Sequence, residues 1–140
     1  MLWLDIKLKE TLCSLVNIYA PNGEAAQIHF YNQLKNIFDQ HSLDDHLYFL
    51  GGDLNYISNA RLDRRGGASI GGNKYKEIGT ALNNIFSLYN LQDVWRTKNP
   101  NKPAFTWRRQ TPRVQSRLDY WYMSDILFNL LFLGVIILQL

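Results

Sequence analysis

An α/β fold is predicted by three features of this sequence. Leu2, Leu4, Ile6 and Leu8 alternate with Trp3, Asp5, Lys7 and Lys9, the period of a strand with one wet face. Tyr75, Ile78, Leu82, Ile85, Phe86 and Tyr89 recur at the spacing of one helix face. Between them a short apolar run from Leu47 to Leu50 is closed by Gly51-Gly52-Asp53-Leu54-Asn55, a strand that ends in a carboxylate and a carboxamide. Alternate residues at a strand end point to the same side, so Asp53 and Asn55 can converge on one reacting group. The paired glycines let a substrate or a second strand approach the backbone closely. Aspartate and asparagine are also ordinary turn residues, so this pair alone does not identify a site.

Composition narrows the class. The chain has 140 residues, enough for one domain with a real core. With 46% hydrophobic and 14% aromatic residues it is globular rather than disordered. The formal net charge is only +3, but the basic residues are unevenly placed. Arg96, Lys98, Lys102, Arg108, Arg109, Arg113 and Arg117 follow one another with no acidic residue among them, and Arg61, Arg64 and Arg65 form a second cluster around Asp63. Such patches suit a polyanion. Cys13 is the only cysteine, so no intrachain disulfide is possible, and its apolar surroundings assign it to the core. The N-terminus lacks the pattern of a signal peptide. The apolar run from Ile126 to Leu140 is interrupted by Asn129 and Gln139 and falls short of the roughly 20 residues that span a bilayer. It reads as a buried helix followed by a strand over 133–140, and no membrane partner is expected.

In chain order, the first strand turns at Lys9-Glu10-Thr11 into a more continuously apolar, central strand from Leu12 to Tyr19. Pro21 stops that strand, and Asn22 can cap the helix that follows. In this helix Phe30, Leu34, Ile37 and Phe38 share a face. His41, Asp44, Asp45 and His46 link it to the Asp53 strand, and their spacing matches no zinc pattern, so a solvated loop is expected. Arg61 to Gly72 reads as a long surface loop whose glycine pairs match neither a P-loop nor a dinucleotide fingerprint. The stripe from Tyr75 to Tyr89 reads as core packing. Leu91 to Trp95 leads into the basic loop, Phe105 to Arg109 forms a strand, Thr111-Pro112 turns it, and Arg117 to Met123 forms another. Asp119 lies inside that last apolar strand, where burial without a partner would be costly. Arg117 is read as facing the other way, so a different partner is expected.

Three boxes now stand in order: Asn17-Ile18-Tyr19-Ala20-Pro21-Asn22, Gly51-Gly52-Asp53-Leu54-Asn55 and Ser116-Arg117-Leu118-Asp119-Tyr120. Between the last two lie Leu91, Asp93, Trp95-Arg96, Pro100 and Phe105-Thr106-Trp107. Together these resemble the endonuclease/exonuclease/phosphatase superfamily, and within it the apurinic-type endonuclease domain of LINE-type non-LTR retrotransposons. The resemblance covers almost the whole chain. It implies a two-sheet α/β sandwich flanked by helices, present here as an incomplete domain over 1–140. It also implies Mg²⁺-dependent hydrolysis of DNA phosphodiester bonds, with DNA as partner and the nucleus as the place of action. On that likeness Asp53 orients or deprotonates the attacking water, Asn55 holds the scissile phosphate and the water, and Tyr19 hydrogen-bonds a phosphate oxygen or helps with the leaving group. Asn22 supports the phosphate region, and Asp119 orients the family's catalytic histidine. Arg108, Arg109 and Arg113 would track DNA phosphates, as could Arg61, Arg64 and Arg65.

The departures are as specific as the matches. Members of this superfamily carry, ahead of the first box here, a strand with an asparagine and then a glutamate that is the principal Mg²⁺ ligand. They end in a Ser-Asp-His box. Glu10 and Glu24 stand in the wrong context to replace that glutamate, and His29, His41 and His46 are not placed to replace the histidine. The sequence therefore reads as an internal fragment holding no metal ligand set, from which turnover is not expected. The alternative reading is a nucleic-acid- or partner-binding remnant without chemistry.

Overall fold

The computed structural model describes residues 1–8, 10–41 and 46–132. The expectations for Asp44, Asp45 and the strand over 133–140 lie outside these residues. Two strands open the chain, β1 (Leu2–Leu8) and β2 (Thr11–Tyr19), followed by α1 (Glu24–His41) and β3 (Leu47–Asp53). A short helical turn α2 (Ala60–Asp63) runs into β4 (Arg64–Arg65), and α3 (Asn73–Leu88), β5 (Leu91–Asp93) and α4 (Val94–Lys98) follow. The last elements are β6 (Trp107–Arg109), β7 (Val114–Ser116), β8 (Asp119–Ser124) and α5 (Asp125–Phe132).

The strands make a five-stranded sheet, ordered β1-β2-β3-β8-β5, and a three-stranded sheet, ordered β4-β7-β6. Within the larger sheet β2 and β3 are parallel, joined through α1 as a parallel pair requires, and the other neighbours are antiparallel. The expected α/β class with two sheets and flanking helices is what forms. Helices α1 and α3 cover one face of the larger sheet. Val16, Ile18, Tyr48, Leu50, Tyr120 and Tyr122 on that face pack against Tyr31, Leu34 and Phe38 of α1 and Ile78, Leu82 and Ile85 of α3. Cys13 is buried in this sheet as expected.

Several local expectations are corrected. In β1 it is Trp3, not the leucines, that meets the helices: its ring lies 5.1 Å from that of Phe38, while Leu2 and Leu4 are exposed on the opposite face. In α1 the buried residues are Gln27, Tyr31, Leu34 and Phe38, with Phe30 and Ile37 at the margins. His46 is not in a solvated loop. Its side chain is buried, stacks on Tyr48, and lies 2.7 Å through Nε2 from Oγ of Ser14, which in turn donates to Asp5. The arginine-rich segment after Asn55 is not all surface loop, because Leu62 and Asp63 are buried. Asn59 caps this turn by accepting the backbone N–H groups of Arg61 and Leu62 at 3.1 Å.

The strand expected from Arg117 to Met123 begins later, at Asp119, and Arg117 and Leu118 link β7 of the smaller sheet to β8 of the larger. Thr106 Oγ1 accepts the N–H groups of Leu118 and Asp119 at 3.0 and 3.1 Å, and this breaks the ladder between β7 and β8. Arg117 turns inward and Asp119 stays exposed, so Asp119 needs no buried partner. Helix α5 is also more exposed than expected, with Ile126 and Leu131 at 60% and 50% accessibility.

The glycine pair of β3 serves two different close approaches. At Gly52, with φ of +128°, a Cβ would stand 2.0 Å from the Ile18 carbonyl oxygen of β2. At Gly51 a Cβ would meet the Trp121 ring at 2.2 Å, but that ring is half-exposed and can turn. Gly52→Ala should therefore destabilise the chain by at least about 1–3 kcal/mol in urea titration, through strain in a region open to glycine. Gly51→Ala should cost less, and equal costs for the two would contradict this account.

Candidate active site

The strand registers build the site. In the parallel pair Tyr19 lies opposite Asp53, and in the antiparallel pair Asp53 lies opposite Asp119. Partners across a ladder share a face, so these three side chains form one row at the C-terminal ends of β2 and β3. Ala20 N–H donates to the Asp53 carbonyl at 2.8 Å, and Leu54 N–H to the Leu118 carbonyl at 2.8 Å, which carries the pairing just past the row.

Beyond it the chain makes a tight turn. Asp53 Oδ1 accepts the Asn55 N–H at 2.8 Å, the side-chain-to-backbone turn that an Asp-x-Asn sequence favours. Asn55 adopts a left-handed conformation with φ of +46°, which asparagine tolerates better than most residues. Its amide donates to the Ala20 carbonyl at 2.5 Å. Helix α1 braces the same turn from behind: Gln27 Nε2 donates to the Asn55 carbonyl at 2.8 Å, and the buried Tyr31 hydroxyl donates to the Leu54 carbonyl. Burial pushes the Tyr31 hydroxyl far above the ordinary phenol range. Tyr75 of α3 holds the next segment, donating to the Ile57 carbonyl at 2.8 Å and accepting its N–H at 2.9 Å.

These elements enclose an open cleft of about 490 Å³. Tyr19, Asn22, Asp53 and Asn55 line it, and Arg64, Trp107 and Ser116 of the smaller sheet form the facing wall. Tyr19 is exposed, so its hydroxyl is available to a ligand. Asn22 is likewise exposed, in the stretch between Pro21 and the start of α1. The Asp53 carboxyl is held above its ordinary range, first by burial and further by the neighbouring Asp119, against the lowering effect of the Asn55 N–H. Arg64 donates to Ser116 Oγ at 3.4 Å and to the Ala68 carbonyl at 3.2 Å, which leaves other guanidinium donors for an anion.

Four expected residues, Tyr19, Asn22, Asp53 and Asn55, thus line one cleft, with Asp119 in the adjoining register position. Arg108 and Arg109 on β6, and Arg113 beyond the turn, are exposed but are not among the cleft lining. Trp107 and Ser116 were not expected there; their only sequence signal is that they belong to the Phe-Thr-Trp and Ser-Arg-Leu-Asp boxes. Gln27 and Tyr31 are legible only as a spacing of four on α1.

Behind the cleft wall lies a buried ionic cluster. Arg117 donates through Nη2 to both Asp93 carboxylate oxygens at 2.5 Å, and its Nη1 lies 3.5 Å from Asp63 Oδ1. Arg96 donates to the same Asp63 oxygen, and Ser58 Oγ donates to Asp63 Oδ2 at 3.3 Å. Burial works against the charge of Arg117, yet its bond to Asp93 and the attraction of both carboxylates raise its pKa.

A Mg²⁺ ion, as the resemblance implies, does not find a full ligand set here. Among the described residues no three His, Cys, Asp or Glu side chains converge. One oxygen of Asp53 already accepts the Asn55 N–H, and the buried side-chain atoms without partners, in His46, Tyr48 and Arg96, belong to residues outside the cleft lining. The described histidines lie away from the cleft as well. His41 packs on Trp3, His46 on Tyr48, and His29 is exposed on α1.

Comparison with known proteins follows the same lines. A family model described as the endonuclease/exonuclease/phosphatase family matches residues 2–140. The transposon TX1 uncharacterized 149 kDa protein of Xenopus laevis is 30% identical over 131 residues, which is 92% of this chain and 10% of that protein. An AP endonuclease from Archaeoglobus fulgidus superposes with a TM-score of 0.68 at 15% identity, covering 91% of this chain and 54% of that one. The endonuclease domain of TRAS1, a telomere-specific non-LTR retrotransposon, gives 0.53 at 13% identity, over 91% of this chain and 52% of that domain. The chain thus spans about half of these solved structures and a tenth of the transposon protein. Matched along nearly its whole length, it belongs to the endonuclease/exonuclease/phosphatase family.

Proposed function

We propose that this chain is the phosphate-binding part of a retrotransposon-type DNA endonuclease domain whose ancestral reaction is the nicking of DNA. Such a reaction would place it in the nucleus. The observation that carries the reading is the in-register row of Tyr19, Asp53 and Asp119 beside the Asn55 turn, facing Arg64 across an open cleft. A phosphodiester seated there would take hydrogen bonds from the Tyr19 hydroxyl and the Arg64 guanidinium, with the Asn22 amide beside them. Asn55, fixed by Ala20 and Gln27, offers a preorganised carboxamide, the kind of donor that stabilises developing charge without reorganising. Asp53, ionised, would accept the proton of an attacking water.

The described residues place no histidine in the cleft and bring together no metal ligand set. A positioned acid alone contributes roughly 10²- to 10⁴-fold. The 140-residue chain is therefore expected to bind DNA and not to cleave it. A second reading, DNA binding without ancestral use of the cleft, draws on one feature: Arg108, Arg109 and Arg113 are exposed together around the β6–β7 turn.

Three measurements test these statements. Supercoiled plasmid incubated with the purified chain and Mg²⁺ should remain supercoiled. Nicking that disappears in Asp53→Ala would overturn the absence of turnover. In duplex binding measured by fluorescence anisotropy, Arg64→Ala should weaken affinity and reduce the slope of log affinity against log salt by about one phosphate contact. An unchanged slope would remove Arg64 from the interface. The raised pKa of Asp53 gives the third. Its folded-state pKa exceeds the unfolded value, so the ionised carboxylate costs stability above the folded pKa and costs nothing below the unfolded one. Asp53→Asn should accordingly be more stable than the native chain at neutral pH, with the gain vanishing as pH falls through the carboxylate range. A loss of stability at neutral pH would contradict this assignment.

A further inference from the structure

The buried cluster behind the cleft is arranged as alternating charges, Asp93, Arg117, Asp63 and Arg96. Its members come from segments far apart in sequence, and it closes on itself, because the Arg96 N–H also donates to Asp93 Oδ1 at 3.0 Å. Its backbone takes part: the Arg117 N–H donates to the Asp63 carbonyl at 2.8 Å. Arg96 extends it through Nη1 to the carbonyls of Asn99 and Lys102, at 3.0 and 2.8 Å. Arg117 also lies 4.3 Å over the Tyr120 ring, whose hydroxyl accepts the Ser58 N–H at 3.2 Å.

The position of this cluster is its informative property. Asp63 is followed directly by Arg64, and Arg117 is flanked by Ser116 and Leu118. All three neighbours line the cleft, while Asp63 and Arg117 face away from it and are 0% and 2% exposed. Arg64 and Ser116 are also register partners in the β4–β7 pair, so the cluster sits under the rung that carries them. A net of charged groups this far from water is a weak source of stability compared with apolar packing, and its best-attested use is to fix one arrangement over others.

We propose that Asp63 and Arg117 are positioning residues for the cleft, which set the place of the Arg64 guanidinium through the Asp93–Arg117–Asp63–Arg96 cluster. The inference rests on the reading of the cleft as a DNA phosphate site. Asp63→Asn removes the charge that holds Arg117 and Arg96 together while keeping the side-chain shape. The backbone of β4 then loses its anchor, and Arg64 no longer meets the phosphate at full strength.

The test is a double-mutant cycle on duplex DNA binding across a salt series, with folding of each variant checked by urea titration. A purely structural role for Asp63 would leave the effects of Asp63→Asn and Arg64→Ala additive. Positioning predicts instead that each single variant lowers the salt slope by about one and that the double variant falls no further. It also predicts that Asp63→Asn and Arg109→Ala remain additive. If Asp63→Asn does not fold, Asp93→Asn serves in its place, since it releases Arg117 from the far side of the cluster, and the same coupling to Arg64 is expected. Folded Asp63→Asn with native affinity and slope, or additive with Arg64→Ala, overturns the positioning role and leaves the cleft reading intact. Native binding by Arg64→Ala overturns the cleft reading itself, and the inference with it.

Discussion

The register of β3 between β2 and β8 is the constraint on which the rest depends. It sets Tyr19, Asp53 and Asp119 in one row. A slip of β3 by one residue would send Asp53 to the helix-covered face and remove it from the row it forms with Tyr19 and Asp119. Two features fix the register. Gly52 lies so close to the Ile18 carbonyl that only a residue without a side chain fits there. The large side chains of the covered face, Tyr48 and Leu50 with Tyr120 and Tyr122, interlock with α1 and α3. The same helix that buries the sheet also holds the Asn55 turn through Gln27 and Tyr31, so core packing and site geometry are one arrangement.

Polar groups are placed where this arrangement can support them. Asp53 sits near a second carboxylate and is partly buried, a pairing that raises its pKa and works against stability. The charges behind the cleft are arranged oppositely, each carboxylate facing a guanidinium. Removing one partner there would leave the others buried and uncompensated, at about 3–5 kcal/mol. Between the two lies the cleft wall.

The parts of this plan that were legible in the sequence are those encoded locally. Asp53 and Asn55 could be placed together because a strand end and a two-residue turn are short-range features. The covered stripe of α3 could be read for the same reason. What alternation could not reveal in β1 is which face would be covered: the leucines alternate correctly, yet Trp3 is the residue that meets Phe38. Asp63 was hidden in an arginine-rich stretch that has the composition of a loop, and its burial depends on Arg96 and Arg117 arriving from elsewhere. The break between β7 and β8 depends on the Thr106 hydroxyl, twelve residues before Leu118, as remote a signal as sequence patterns can carry. The motif boxes supplied what periodicity lacked, since they brought Tyr19, Asp53 and Asp119 together before any register was known.

The central claim is that the cleft at Asp53, rather than the exposed arginines around the β6–β7 turn, receives DNA phosphate. The most direct measurement is a backbone amide NMR titration of the chain with a short DNA duplex at moderate salt. This account predicts that the largest shifts fall on Tyr19, Asn22, Asp53 to Asn55, Arg64 and Trp107. Shifts confined to Arg108, Arg109 and Arg113, with the Asp53 turn unmoved, would contradict it and mark the chain as a binder that does not use its cleft.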